Sequence, residues 1–297
     1  MITVNSLSGG KTSSYMAVHY PSDYDIFSCV CIDDPECAPN DPALIKYASE
    51  KLKIDFIATA EDDMTLVAMM DLEQYIGRNI DWVRGLSFDE VIDEGTKTRL
   101  PSWARRYCTE KMKLLPIFLY WFKNIGVKCN MRIGFRADEF DRMIRFFNNS
   151  NPTNFKIPVA CDTLGKRRQR HEEFNWRFCE MPLVKDRIET RHIKEYWQNH
   201  GYIGGNLFEE RKQIYFPAIS NCVGCFHKSE ETLAAQCILQ PNKMKWFARQ
   251  EHKGKGRWLD KEITYDYIGN NSYELAKEIL FEIQHLNESC DSEGCTD

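Results

Sequence analysis

The chain has 297 residues, 43% of them hydrophobic, and its 44 acidic against 39 basic side chains give a formal charge of −5. That composition excludes a disordered or fibrous protein, and it is too acidic for one built chiefly to coat nucleic acid, although a local basic patch remains open. No stretch approaches ~20 uninterrupted apolar residues. The first apolar run, residues 2–7, stops too soon for a signal-peptide core, so a cytoplasmic location away from membranes is expected. Thiols stay reduced there, so the twelve cysteines are not a disulfide framework and some are expected to bind metal.

Periodicity predicts short buried strands at residues 2–7 and 26–32 with a helix over 13–19 between them. A helix over 41–52, a third strand over 54–58 and a helix over 64–76 continue the alternation, which implies a parallel sheet covered on both faces. After Gly77 a charged, Trp-containing insertion is expected to about residue 100, then a helix over 109–124 and a strand over 129–134. Four strand candidates then share one sheet. Residues 148–177 read as polar loop, followed by an ordered segment at 178–184 and a helix over 190–200. The expected organisation is an α/β, doubly wound, mostly parallel nucleotide-binding domain over 1–204. A small cysteine-bearing lobe follows over 205–297.

Ser8-Gly9-Gly10-Lys11-Thr12-Ser13 follows the first strand and opens the first helix, where backbone N–H groups and the helix dipole converge on an anion. A Walker loop would need glycine where Asn5 stands, and the Rossmann spacing fails as well. The local alternative is a plain glycine-rich turn. Downstream, Thr109 is a candidate N-cap, with Lys113 about one turn on and able to meet an anion at the helix start. Arg136, just beyond the strand at 129–134, could grip phosphate or sulfate bidentately, with Glu139 orienting it or holding Mg²⁺. A surface Arg/Glu pair is the competing reading.

Ser-Gly-Gly-Lys-Thr-Ser resembles the PP-loop signature Ser-Gly-Gly-x-Asp-Ser, with Thr12 in place of the usual Asp. Together with Cys108-Thr109-x-x-x-Lys113-x-x-Pro116 and Gly134-Phe135-Arg136-Ala137-Asp138-Glu139, it resembles the phosphoadenosine phosphosulfate reductase family. The similarity is closest to the phage and bacterial branch related to the sulfurtransferases of DNA phosphorothioation, and the first 140 residues or so carry it. Retention of Gly9, Gly10 and Lys11 favours use of ATP over sulfonucleotide reduction. The resemblance also points to Asp33, with Glu36, as acidic residues near the nucleotide.

Cys222-Val223-Gly224-Cys225 is a Cys-x-x-Cys turn whose sulfurs can reach one metal, suiting zinc or iron–sulfur, with a redox dithiol as its rival. Cys290 and Cys295 form a second pair, similar to the C-terminal Cys-Asp-Ser-Gly-x-x-Cys of the same branch with Glu293 inserted, and Cys108 is a further possible ligand. The resemblance implies a four-iron cluster, with zinc as the alternative. Without such a cluster, nothing in the C-terminal lobe is expected to make a core. Lys166-Arg167-Arg168-Gln169-Arg170-His171, with Trp176-Arg177 behind it, could dock nucleic acid or simply be a solvated charge run.

These readings converge on an ATP pyrophosphatase-type adenylating enzyme. It would transfer sulfur to a nucleic acid or nucleotide, with a cysteine desulfurase as possible donor. A sulfonucleotide reductase is the rival on the same fold. A non-catalytic nucleotide sensor is the rival of a different class.

Overall fold

The computed structural model describes residues 1–93, 100–102, 106–149, 151–159, 170–202, 214–253, 256–259 and 263–283. β1 (Thr3–Leu7) runs into α1 (Lys11–His19), and β2 (Tyr24–Cys29) returns parallel to β1, with Leu7 opposite Phe27. Successive strand residues face opposite sides. Leu7 and Phe27 therefore join one core layer with Met16 of α1, while Val4 and Ile26 join the layer on the other face. Next come β3 (Cys31–Ile32), α2 (Pro42–Leu52), β4 (Ala58–Thr59) and α3 (Asp63–Ile76). β3 and β4 pair antiparallel, apart from the main sheet, so the strand expected over 54–58 is corrected to a two-residue ribbon.

Its place is taken by β5 (Ile80–Arg84), inside the segment read as a charged insertion. Ile80 and Trp82 are buried while Asp81 and Arg84 are only half-buried, a one-sided pattern that sheet-edge position permits and charge conceals. After α4 (Phe88–Asp93), α5 (Tyr107–Thr109) leads through a π-helical turn over Glu110–Leu114 into α6 (Leu115–Asn124). Thr109 lies inside this helix with no side-chain cap bond, so it is not the N-cap. Pro116 accounts for the wide turn. It has no N–H for the Met112 carbonyl four residues back and its ring crowds that oxygen. Ser28 Oγ donates to the released carbonyl at 2.8 Å.

The chain continues through β6 (Cys129–Arg132), α7 (Phe140–Asn149), β7 (Asn154–Val159), β8 (Arg170–Asn175) and β9 (Arg177–Glu180). The main sheet is all-parallel in the order β5-β2-β1-β6-β9. β7 and β8 form an antiparallel hairpin where loop was expected, with Phe155 and Phe174 packed under it. Trp176 is fully buried and Arg177 is 4% exposed, donating from Nε to the Pro152 carbonyl. This pair therefore belongs to the core and is no stacking platform. Residues 166–169 of the basic run lie outside the described residues.

α8 (Pro182–Lys185), α9 (Thr190–His200), the parallel pair β10 (Gly201–Tyr202) and β11 (Ile214–Tyr215), then α10 (Glu230–Leu239), α11 (Pro241–His252), α12 (Tyr265–Asn270) and α13 (Ser272–Leu275) complete the order. The C-terminal segment does carry a core. Leu233, Trp246, Phe247, Trp258 and Tyr265 pack together with Val30, Ile32 and Phe88 from the sheet side. Their aromatic burial needs no metal to drive it.

Candidate functional site

The sheet departs from β1 in two directions, to β2 and β5 on one side and to β6 and β9 on the other. Ligands of open parallel sheets lie at the carboxyl ends of the strands beside such a switch point. Ser8–Ser13 occupies that position. Gly9 takes φ +77°, and a Cβ there would overlap Thr65 Cγ2 of α3, so both conformation and space require glycine. Ser8 N–H donates to Ser13 Oγ at 3.2 Å, and Ser13 Oγ donates to the Gly10 carbonyl at 3.0 Å. α1 has no acidic residue in its first turn to offset the positive end of its dipole. Burial, and then the neighbouring Lys194, hold the Lys11 ammonium below its ordinary pKa.

Arg136 reaches the same loop from the other side of the switch. Its Nη1 donates to Thr12 Oγ1 at 2.9 Å, while Nη2 lies 3.3 Å from Glu139 Oε1 and Nε 3.4 Å from Asp138. Glu139 also accepts the Arg136 backbone N–H and pairs with Arg142 at 2.6 Å. Glu139 is thus paired with both the guanidinium and the backbone N–H of Arg136. Thr12, where the PP-loop signature has Asp, gives Arg136 a neutral partner at the loop.

The first thiol stands beside this loop. Asn221–Val223 adds to the chain at Ala60–Asp62 as an antiparallel bridge, with Asp62 N–H donating to the Asn221 carbonyl at 2.7 Å and Val223 N–H to that of Ala60 at 2.9 Å. Asn221 Nδ2 donates to the Ser8 carbonyl at 2.5 Å. Cys222 turns to Lys113, whose ammonium lies 3.7 Å from its sulfur and donates to Glu61 Oε1 at 3.0 Å. Lys113 is therefore engaged with Glu61 and Cys222. Burial pulls the ammonium down, but the anionic forms of Cys222 and Glu61 outweigh it and raise Lys113. Burial pushes the Cys222 thiol up to about 11, although the neighbouring Lys113 draws it down.

Cys108 and Cys225 share the neighbourhood. Burial raises Cys108, and Cys225 adds to the rise, while both perturb Cys222. Among the described residues no group of three or more His, Cys, Asp or Glu side chains is placed to hold a metal ion, and Cys290 and Cys295 lie outside the described residues. Cys29, Cys31, Cys37 and Cys129 are buried as small hydrophobes.

Asp33 is not brought to the loop by any described bond. Its carboxylate accepts from Ser87 Oγ, its N–H donates to Asp89 at 2.8 Å, and Glu36 pairs with Arg249 at 2.8 Å. Glu61, Asn221 and Lys243 were missed by sequence reading. Glu61 is 0% exposed, and Lys243, 3% exposed, donates to its carbonyl at 2.5 Å and to Asp63 at 2.6 Å. The acidic run at 61–63 directly after a strand was the one local signal. No family model matches the chain, and neither does any curated protein or solved structure.

Proposed function

We propose that the chain is a PP-loop-type adenine-nucleotide enzyme that cleaves ATP between its α and β phosphates and directs the activated product to sulfur transfer. The supporting observation is that Asn221, the residue before Cys222, donates to the Ser8 carbonyl of the Ser8–Ser13 loop, which brings the chain that carries the thiol up to that loop. An acceptor oxygen would attack the α-phosphorus and expel pyrophosphate, after which a sulfur nucleophile would displace AMP. The loop N–H groups and Lys11 would hold the phosphates of Mg²⁺-ATP, and Arg136 would stabilise charge developing at the breaking bond. Glu139 positions Arg136. Cys222, Cys225 and Cys108, with Cys290 and Cys295, would hold a four-iron cluster or zinc, and such a cluster would supply sulfur-relay or redox chemistry.

A nucleic-acid acceptor and a cysteine desulfurase donor fit this reading. A thiol beside the loop is equally what a sulfonucleotide reductase would require. Anaerobically isolated protein should bind ATP, release pyrophosphate in the presence of acceptor, and contain iron and sulfide. Iron should fall in Cys222→Ser and Cys108→Ser. Reduction of a sulfonucleotide without pyrophosphate release would replace the adenylation reading with the reductase, and mass spectrometry of nucleosides from expressing cells would identify a modified acceptor.

A further inference from the structure

We infer that Asn221 is a positioning residue that couples occupancy of the Ser8–Ser13 loop to the reactivity of the Cys222 thiol. The inference rests on the loop being the nucleotide site. Asn221 and Cys222 are consecutive residues at a single antiparallel bridge to Glu61, and their side chains meet different partners. One side chain grips the loop and the other enters the Lys113–Glu61 pair.

The loop end of this coupler is tight. Asn221 Nδ2 is 2.5 Å from the Ser8 carbonyl, and a Cβ placed on Gly10 would lie 2.9 Å from the same nitrogen. The amide therefore rests on the first two backbone units leading into α1, where an anion would be gathered. The thiol end is also fixed. The Cys222 carbonyl accepts from Ser220 Oγ at 3.1 Å and from Gln236 Nε2 at 3.1 Å, and the sulfur faces Lys113 at 3.7 Å. Glu61, fully buried, holds Lys113 from behind. Consecutive Cα atoms are ~3.8 Å apart, and the bridge bonds leave little slack between the two side chains. A shift of the Ser8 carbonyl as the loop closes on phosphate would thus move Asn221, and Cys222 would move relative to Lys113. The coupling is reciprocal, so the state of Cys222 also biases nucleotide affinity.

The test compares alkylation of Cys222 by iodoacetamide in the full chain freed of iron and zinc, so that no metal shields the sulfur, with and without a non-hydrolysable ATP analogue, read at that residue by tandem mass spectrometry. Wild type should show a change in rate of about fivefold or more on nucleotide addition. Asn221→Ala and Asn221→Asp, which both remove the amide donor, should still bind the analogue by calorimetry, with a Cys222 rate that no longer responds. Using two variants separates loss of the donor from a folding defect of either. Wild-type protein that binds the analogue with an unchanged Cys222 rate would overturn the coupling and leave the nucleotide loop standing. A full response in both folded variants would also overturn it. Failure of wild type to bind any adenine nucleotide would overturn the loop reading and the coupling with it.

Discussion

Replacing Lys113 by Met tests the electrostatic frame of the thiol site. The Glu61 side chain is 0% exposed and its carboxylate has two described donors, Lys113 Nζ at 3.0 Å and the Val30 N–H at 3.4 Å. Taking away the ammonium leaves a fully buried carboxylate with one long backbone bond. Removing one partner of a buried pair costs about 3–5 kcal/mol, and because Lys113 itself is 29% exposed, water can enter and the loss should lie near the lower figure. Glu61→Gln should cost less, about 1–2 kcal/mol, since the exposed side of the ammonium can turn to solvent. The double variant removes both charges and should be more stable than Lys113→Met alone by about 1–2 kcal/mol. Urea unfolding of the four proteins closes the cycle. A Lys113→Met variant within about 0.5 kcal/mol of wild type, or a double variant no better than it, would refute the pairing.

Gly9→Ala should destabilise the chain by about 2–3 kcal/mol, through a left-handed backbone and the overlap with Thr65. Thr65→Ser in the same background should restore the steric share, and a neutral Gly9→Ala in thermal unfolding would refute the loop geometry. Ser28→Ala should cost about 1–2 kcal/mol, but almost nothing in a Pro116→Ala background, where residue 116 regains an N–H for the Met112 carbonyl. Equal urea costs in the two backgrounds would sink that account of the π turn. Phosphate arriving at the depressed Lys11 should raise its pKa, so at alkaline pH ATP binding should take up protons and weaken as pH rises. Calorimetry in buffers of different ionisation heat measures this uptake; it should shrink in Lys194→Met, and its absence at every pH would refute the assignment.

The parts legible in the sequence are those written in adjacent residues. A β-branched run, two glycines and a periodic helix specify β1, the loop and α1 within the first 19 residues, and the helix expected over 190–200 matches α9 at both ends. Arg136 and Glu139 were legible because they lie only three positions apart. Contacts that join distant segments were not. Asn221 meets Ser8 across 213 positions, Lys113 meets Glu61 across 52, and Lys243 meets the Glu61 carbonyl across 182. No periodicity encodes such pairs. β5 was obscured by charges that an edge strand tolerates, and the wide turn before Pro116 required knowing that Ser28 would receive the freed carbonyl. The C-terminal core was hidden for a related reason, since Trp246, Phe247 and Trp258 sit among lysines and arginines whose charged ends mask an apolar interior.

The Cys222–Cys225 turn is shaped by contacts with the surrounding core. Gly224 has φ +59°, and a Cβ there would lie 2.5 Å from the Phe247 ring, so only glycine lets the turn seat on α11. Gly224 N–H donates to Gln236 Oε1 at 3.0 Å, and its carbonyl accepts from the buried Tyr265 hydroxyl at 2.9 Å. Both backbone groups of Gly224 are thus met by side chains of the core. Gln236, Phe247 and Tyr265 thus fix the backbone between the two cysteines, and this preorganisation lowers the ordering cost of presenting a thiol from that turn.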